Sequence, residues 1–311
     1  MKTFIAKRLL SSLATLLVLS IIIFALVRAS GNPAELLYEY PGAREEDIAR
    51  QAAAWGLDQS WPEQYVSFVW NIARFDYGQS FQYGTSVRSL YFDRLPNSLL
   101  LAFWAFLISM AIGIPLGIMS AVKVDSLWDS VGKTFALLGL SVPSFFVALL
   151  LVLLFGVKLE WLPFLGKAEG FFDWQHLILP SLSLGWFFSG AMLRLTRSSM
   201  LEVLGSEYIK LCRLKGLPEK VVIVKHALKN SFIPVLTLAA VNLVVMINVA
   251  VVVEVVFSWP GIGRLLYDGL INRDFPLVQG VVVMAGVMIV GTNFIVDVLY
   301  GYLDPRIRLT R

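Results

Sequence analysis

Uncharged, apolar stretches long enough to cross a bilayer recur six times along the chain. Leu9–Val27 has 19 residues, Asn97–Val122 has 26, Thr134–Val157 and Asn230–Val253 have 24 each, Pro276–Val296 has 21 and Leu177–Leu193 has 17. A hydrocarbon core of ~30 Å takes about 20 helical residues, so each stretch predicts a transmembrane helix. The shortest contains Pro180 and reaches the required length if Trp174 and Arg194 sit at the two interfaces. Pro143, flanked by Ser141 and Ser144, predicts a kink within the third. The first follows Lys2, Lys7 and Arg8 and ends near Val27-Arg28-Ala29, a pattern compatible with signal cleavage. Its apolar run exceeds the ~7–15 residues of a signal core, which favours an uncleaved span.

The intervening segments set the orientation. With the N-terminus inside, sixteen of the 26 Lys and Arg fall on the inner side. The positive-inside rule then places both termini in the cytoplasm. Residues 1–28 form the N-terminal tail and first helix. Residues 29–95 form an outer segment with candidate helices at Glu45–Trp55 and Pro62–Phe75, the second with proline in its first turn. Residues 96–311 form a five-helix core that contains a basic inner loop, 194–229, and an outer loop, 254–275.

Composition supports lipid as the solvent. Hydrophobic residues make up 57% of the chain and charged residues 15%, against about a quarter charged in soluble domains. The net charge of +4 comes with no dense basic run, so it does not point to nucleic acid. Cys212 is the sole cysteine, which excludes an intrachain disulfide and a cysteine-based metal site. His176 and His226 are fifty residues apart, which offers no paired-histidine metal motif. Gly132-Lys133-Thr134 ends like a phosphate-binding loop, but Leu127 stands where that motif requires its first glycine. No cofactor is expected on this chain.

The inner loop carries the most information. Ser206–Glu219 reads as a helix, a stop at Gly216 and a second helix begun at Pro218. Glycine suits a left-handed C-terminal cap and proline a first turn. Glu219 early and Lys225, His226 and Lys229 late complement the second helix's dipole. This is a helix–turn–helix elbow, either a plain solvated hairpin or a docking point for a cytoplasmic motor.

Three blocks together resemble a known family. They are Arg194–Gly205 with the following Glu207–Gly216 helix, Phe257–Arg264, and Asn293–Tyr300 with Asp304–Arg308. They are similar to the binding-protein-dependent ABC importer permeases, nearest to the first permease subunit of the dipeptide, oligopeptide and nickel group. The N-terminal span and the Asn32-Pro33 region fit as well, so the resemblance covers nearly the whole chain. Six positions before Gly216 stands Lys210 where the superfamily's loop has Glu, and Glu207 lies three residues earlier. Cys212 stands where a small residue such as alanine is usual.

The resemblance implies an all-α membrane protein with six transmembrane helices, both termini cytoplasmic, and the type I ABC importer permease architecture, in a bacterial or archaeal cytoplasmic membrane. It implies no enzymatic role, with ATP bound and hydrolysed on partner subunits. The implied partners are a second homologous permease, two cytoplasmic ATPases, an extracytoplasmic substrate-binding protein and membrane lipid. The implied cargo is short peptides, with nickel chelates or glutathione-like peptides as alternatives. The ATPase coupling loop would comprise Glu207, Lys210, Cys212, Arg213, Lys215, Gly216, Leu217 and Pro218. The outer gate or docking loop would comprise Trp259, Pro260, Gly261, Gly263 and Arg264.

Polar residues within spans are costly against lipid. Asn242 and Asn248, and Thr292 and Asn293, are therefore expected to face the bundle, bonding between helices or lining a pathway. Gly113 and Gly117, with Pro115 between them, predict close helix packing or a kink. Arg194 and Asp297, at similar inner depth, are candidates for an ion pair. A secondary transporter is the alternative reading, but it needs ion-coupling carboxylates near the midplane, and the spans offer only Asp297. A membrane scaffold is a third reading.

Overall fold

The computed structural model describes residues 2–29, 46, 59–168 and 173–303. The expected helix at Glu45–Trp55 (Glu46 apart), the Asn32-Pro33 region, the Asp304–Arg308 stretch and the Asp297 side chain lie outside the described part. The helices are α1 (Lys2–Ala29), α2 (Trp61–Ala73), α3 (Val87–Val122), α4 (Leu127–Ser141) and α5 (Ser144–Leu151), which continues as a π-helical turn (Val152–Lys158). They are followed by α6 (Trp174–Leu204), α7 (Glu207–Leu214), α8 (Glu219–Val256), α9 (Ile262–Ile271) and α10 (Phe275–Leu303). Among the described residues there is no strand, only an isolated bridge between Gln79 and Ser86. Helical backbone satisfies its own hydrogen bonds, as the bilayer interior demands.

Among the described residues five helices, α1, α3, α6, α8 and α10, are long and apolar enough to cross a membrane. The third expected span departs from the sequence reading. Instead of one kinked helix, Thr134–Val157 is divided between α4 and α5, which meet at 103°. A residue before proline is pushed out of the helical region, and Val142 is extended (φ −92°, ψ 118°). Pro143 then opens α5 as its N-cap. Counted as one broken span, the pair brings the total to six.

The helices also overrun the uncharged stretches. The second begins at Val87 rather than Asn97, the fourth runs on to Leu204, and the fifth starts at Glu219. The inner loop of 194–229 therefore contracts to residues 205–218. Charge marks where lipid ends, and a helix with a polar outer turn continues past that point.

The chain forms two compact units, Met1–Leu95 with Leu265–Arg311, and Pro96–Arg264. In the first, Ile23 and Val27 of α1 join Phe275, Val278 and Val283 of α10, with Phe68 and Ile72 of α2 packed on them. Buried Asp274 caps α10 through the Leu277 amide (3.2 Å) and accepts from the Ser80 hydroxyl (2.5 Å) and the Gln82 amide (3.1 Å).

In the second unit α6 is the central helix, packed against α4, α5 and α8. Small residues let the backbones approach. A Cβ on Gly113 would stand 2.6 Å from the Met192 Cβ, and one on Gly117 would stand 2.7 Å from that of Thr196. Gly139 and Gly190 meet between α4 and α6 in the same way. The Gly113/Gly117 pair thus packs α3 on α6.

Gly117→Leu must push α3 off α6, and overpacking of this kind costs about 1–3 kcal/mol or more. Thermal unfolding of the purified chain is expected at a clearly lower temperature, or folded protein is lost. Gly291→Leu, where a Cβ meets open space, is expected to leave the midpoint of the isolated chain unchanged.

Candidate functional site

The elbow is built by two helix ends and one short helix. Gly205 caps α6, and Ser206, with extended backbone (φ −72°, ψ 151°), turns the chain into α7. After Leu214 the chain turns back through Gly216, whose φ of +73° lies in the left-handed region. A Cβ there would meet nothing within 4 Å, so glycine is required by backbone conformation and not by crowding. Pro218 (φ −58°) then opens α8, which begins with a short helical turn and a π-helical segment, Val222–Ala227.

The eight-residue α7 has two apolar faces. Ile209 and Cys212 point inward onto Ala121, Met200, Val222 and Ala227. Tyr208, Leu211 and Leu214 point outward, 45%, 51% and 84% exposed. Ion pairs flank the outward face. Lys210 Nζ lies 2.7 Å from Glu207 Oε1, and Arg213 Nη2 lies 2.8 Å from Glu219 Oε1. The bond to Glu219 raises the Arg213 pKa above its ordinary value. Tyr208 Oη and His226 Nδ1 share a 2.5 Å hydrogen bond that joins α7 to the π-helical segment.

Of the residues expected in a coupling loop, Glu207, Lys210, Arg213, Lys215, Gly216 and Pro218 are exposed and Leu217 is half-buried. Cys212 is buried, so its thiol packs the elbow and touches no partner from outside. The sequence reading did not single out Tyr208, Leu211 or Leu214. Their signal was the i, i+3 spacing of leucines on the side of a short helix away from Ile209 and Cys212.

Beneath the elbow lies a carboxylate that the sequence reading passed over. Asp129, with no exposed side-chain area, accepts from Arg197 Nε (2.8 Å) and Nη2 (3.1 Å), Ser120 Oγ (2.5 Å) and the Asp125 amide (3.1 Å). Lys133 Nζ lies 2.8 Å away. The cluster ties the end of α3 and the start of α4 to α6, two turns before the elbow. Gly132-Lys133-Thr134 is helical here, with Lys133 on Asp129, which is no arrangement for cradling phosphate.

The turn after α8 is a second knot, also centred on a carboxylate. The sequence reading started a loop at Glu254, but α8 continues to Val256 and Glu254 is buried. Ser98 Oγ donates to its Oε1 (2.6 Å), and the amides of Gly263 and Arg264 donate to its Oε2 (2.7 and 3.1 Å). Gly261 passes so close that a Cβ would collide with the carboxylate. Asn97 receives the Trp259 indole N–H on its carbonyl (3.0 Å) and donates its side-chain amide to the Pro260 carbonyl (2.9 Å). Read from sequence as a gate or docking residue, Trp259 is fully buried within this chain and anchors the turn. Arg264 Nη1 also donates to Ser258 Oγ (3.1 Å).

Among the candidate pathway residues, Asn242 is buried and its Nδ2 has no hydrogen-bond partner among the described residues. Asn248 and Thr292 bond back to the carbonyls of Val244 (3.0 Å) and Met288 (2.7 Å), while Asn293 is exposed. Arg194, expected at the end of the fourth span, is exposed in mid-α6 ten residues before the helix ends.

Residues 1–102 match the N-terminal model of the binding-protein-dependent transport system membrane component, and residues 113–309 match the binding-protein-dependent transport system inner membrane component. The chain belongs to this family. It is 39% identical over 314 residues to a putative peptide transport system permease protein of Brucella abortus (strain 2308), covering 99% of both chains. It is 36% identical over 309 residues to the glutathione transport system permease protein GsiC of Salmonella typhimurium (strain LT2), again over 99% of each. The fold matches solved structures at low identity. An inward-facing MetNI methionine ABC transporter aligns with a TM-score of 0.55, 16% identity and 67% of this chain against 93% of that one. An amino acid ABC transporter crystallised with histidines gives 0.54, 14%, 68% and 93%.

As a member of the binding-protein-dependent transport family, the chain is a multi-pass inner-membrane permease subunit that works with ATPase and other transporter subunits. It is not itself an enzyme; ATP hydrolysis sits on the ATPase chains.

Arg197→Ala removes the main partner of a buried carboxylate, and breaking such a pair costs about 3–5 kcal/mol. Arg197→Ala and Asp129→Ala are each expected to lower stability strongly in chemical denaturation of the purified chain. The double variant is expected to lose clearly less than the sum of the two.

Proposed function

We propose that this permease forms one half of the translocation pathway of an importer for short peptides. Its partners in that reading are a second homologous permease, two ATPases docked on the elbow, and an extracytoplasmic binding protein. Both termini then face the cytoplasm. The exposed apolar face of α7, set between two helices that enter the membrane, carries the assignment of the elbow as docking site. A face of Tyr208, Leu211 and Leu214 ringed by charge suits a partner's apolar pocket. The peptide cargo is supported by the peptide and glutathione permeases at 36–39% identity over the full chain.

Coupling on this reading is mechanical. ATP binding draws the two ATPases together, the elbows follow, and α6 and α8 carry the movement into the membrane. The secondary-transporter alternative gains nothing from the three buried carboxylates described. Asp129 is held by Arg197, Glu254 by three donors at the end of its helix, and Asp274 by Ser80, Gln82 and the start of α10, so none is free to cycle with an ion.

The test is assembly and transport in proteoliposomes containing the permease pair, the ATPases and the binding protein. Leu214→Asp is expected to release the ATPases and abolish peptide-stimulated ATP hydrolysis while membrane insertion persists. Gly216→Val strains the turn by about 1–2 kcal/mol and is expected to reduce coupling at least several-fold. Normal transport by both variants would remove the elbow from the docking role. For topology, in a Cys212→Ala background, Gly42→Cys is expected to react with impermeant thiol reagents from outside and Lys220→Cys only from inside. Reaction of both from one side would overturn the orientation.

A further inference from the structure

The helix α2 packs on a membrane-spanning helix yet leaves large apolar side chains uncovered. Its contacts with α1 fix its depth. Tyr65 Oη is 2.9 Å from Ser20 Oγ, the Tyr65 and Phe68 rings lie 5.4 and 5.7 Å from that of Phe24, and Arg28 Nε donates to Gln64 Oε1 at 2.7 Å. Phe68 and Ile72 also pack into the cluster formed by Ile23, Val27 and Val283. Ser20 and Phe24 fall within the apolar run that ends at Val27. At 1.5 Å per residue they lie roughly 10 and 5 Å inside its boundary. The helix is thus seated beside the last turns of hydrocarbon-level α1.

The rest of α2 divides into two flanks. With the face of Gln64, Tyr65, Phe68 and Ile72 turned to α1, helical geometry puts Val66, Val69, Trp70 and Ala73 along one side and Glu63, Ser67, Asn71 and Arg74 along the other. On the apolar side Val66 is 66% exposed and Trp70 is 58% exposed. The Arg74 guanidinium lies over the Trp70 ring at 4.6 Å, a pairing of cation and indole suited to the headgroup zone. At the near end Ser60 and Glu63 form a capping box, with the Ser60 amide donating to Glu63 Oε2 at 3.0 Å. A helix bathed in water on both free flanks has no reason to segregate them. One with lipid on one side and water on the other does.

We infer that α2 is an interfacial helix, its Val66/Val69/Trp70 flank embedded in the lipid of the leaflet at α1's C-terminal end. The occupant of that flank is lipid, at the acyl–headgroup boundary where tryptophan concentrates. The placement follows from α1 alone and does not depend on which side of the membrane that leaflet faces. The helix then serves as a float that fixes the depth of α1.

The test is nitroxide scanning of the complete transporter in nanodiscs of phosphatidylethanolamine and phosphatidylglycerol. Single cysteines are placed at Val66, Ser67, Val69 and Asn71 in a Cys212→Ala chain. Labels at 66 and 69 are expected to collide with oxygen several-fold more than with a water-soluble nickel chelate, and labels at 67 and 71 the reverse. Higher nickel accessibility at 66 and 69 would put the flank in water and overturn the inference. Exclusion of both reagents from 66 and 69 would show a protein partner there and overturn it equally. Quenching of tryptophan by lipids brominated near the carbonyl reads the same point in the native sequence. It is expected to fall measurably in Trp70→Phe, and no change would count against the embedded flank.

Discussion

A polar group inside a bilayer finds no water, so it must find its partner within the protein, and the rest of this structure follows from that constraint. It explains why the described chain is helical and why the two buried carboxylates of the second unit are surrounded. Asp129 has a guanidinium, an ammonium, a hydroxyl and an amide around it. Glu254 has a hydroxyl and two amides. Each group gathers chain segments distant in sequence. One gathers the α3 end, the α4 start and α6, and the other gathers α8, the turn that follows it and the first third of α3. The same requirement governs the α4–α5 break. Pro143 interrupts the backbone bonds of a span, and the chain bends by 103° and starts a second helix instead of crossing as one imperfect rod.

Packing within the second unit rests on absence of side chain. Lipid gives helices no hydrophobic reason to associate, so close backbone approach and dispersion must supply it. Gly113, Gly117, Gly139 and Gly190 give α6 that approach on two sides. The well-packed α6 leads directly into the elbow. The elbow's inner face, Ile209 and Cys212, is continuous with the core made by Met200 and Val222. The elbow is therefore part of the packed unit, not a loop hung from it.

How much of this could be read from sequence depended on the kind of signal. Apolar length gave the spans, because ~30 Å of hydrocarbon is a demand each span meets by itself. The elbow's turn was legible for the same reason: Gly216 and Pro218 act through local backbone geometry. What escaped the reading depends on neighbours distant in the chain. Glu254 looked like the first residue of a loop because charge commonly marks a span's end, and its partner Ser98 lies 156 residues earlier. Trp259 was assigned by resemblance to a gate or docking loop, and nothing nearby in sequence shows Asn97 waiting for its indole. Arg197 sat within a recognised motif, yet its function as counter-charge to Asp129 needed the fold to bring them together. Asp297 remains outside the described side chains, and its pairing with Arg194 stands where sequence left it.

The unbroken run of α6 past Arg194 has a mechanical meaning. Ten further residues make about 15 Å of continuous helix leading to the elbow. Arg197 on Asp129 and Met200 in the elbow's core clamp this stretch to α3, α4 and α7. A push at the elbow therefore meets a braced helix and not a free-swinging tip. The other arm, α8, has a π-helical stretch at its root, where hydrogen-bond register is easily altered. The elbow thus joins one continuous α-helical arm to one arm with a π-helical root. Under the proposed docking, a load applied there is delivered mainly along α6, while α8 takes up the mismatch.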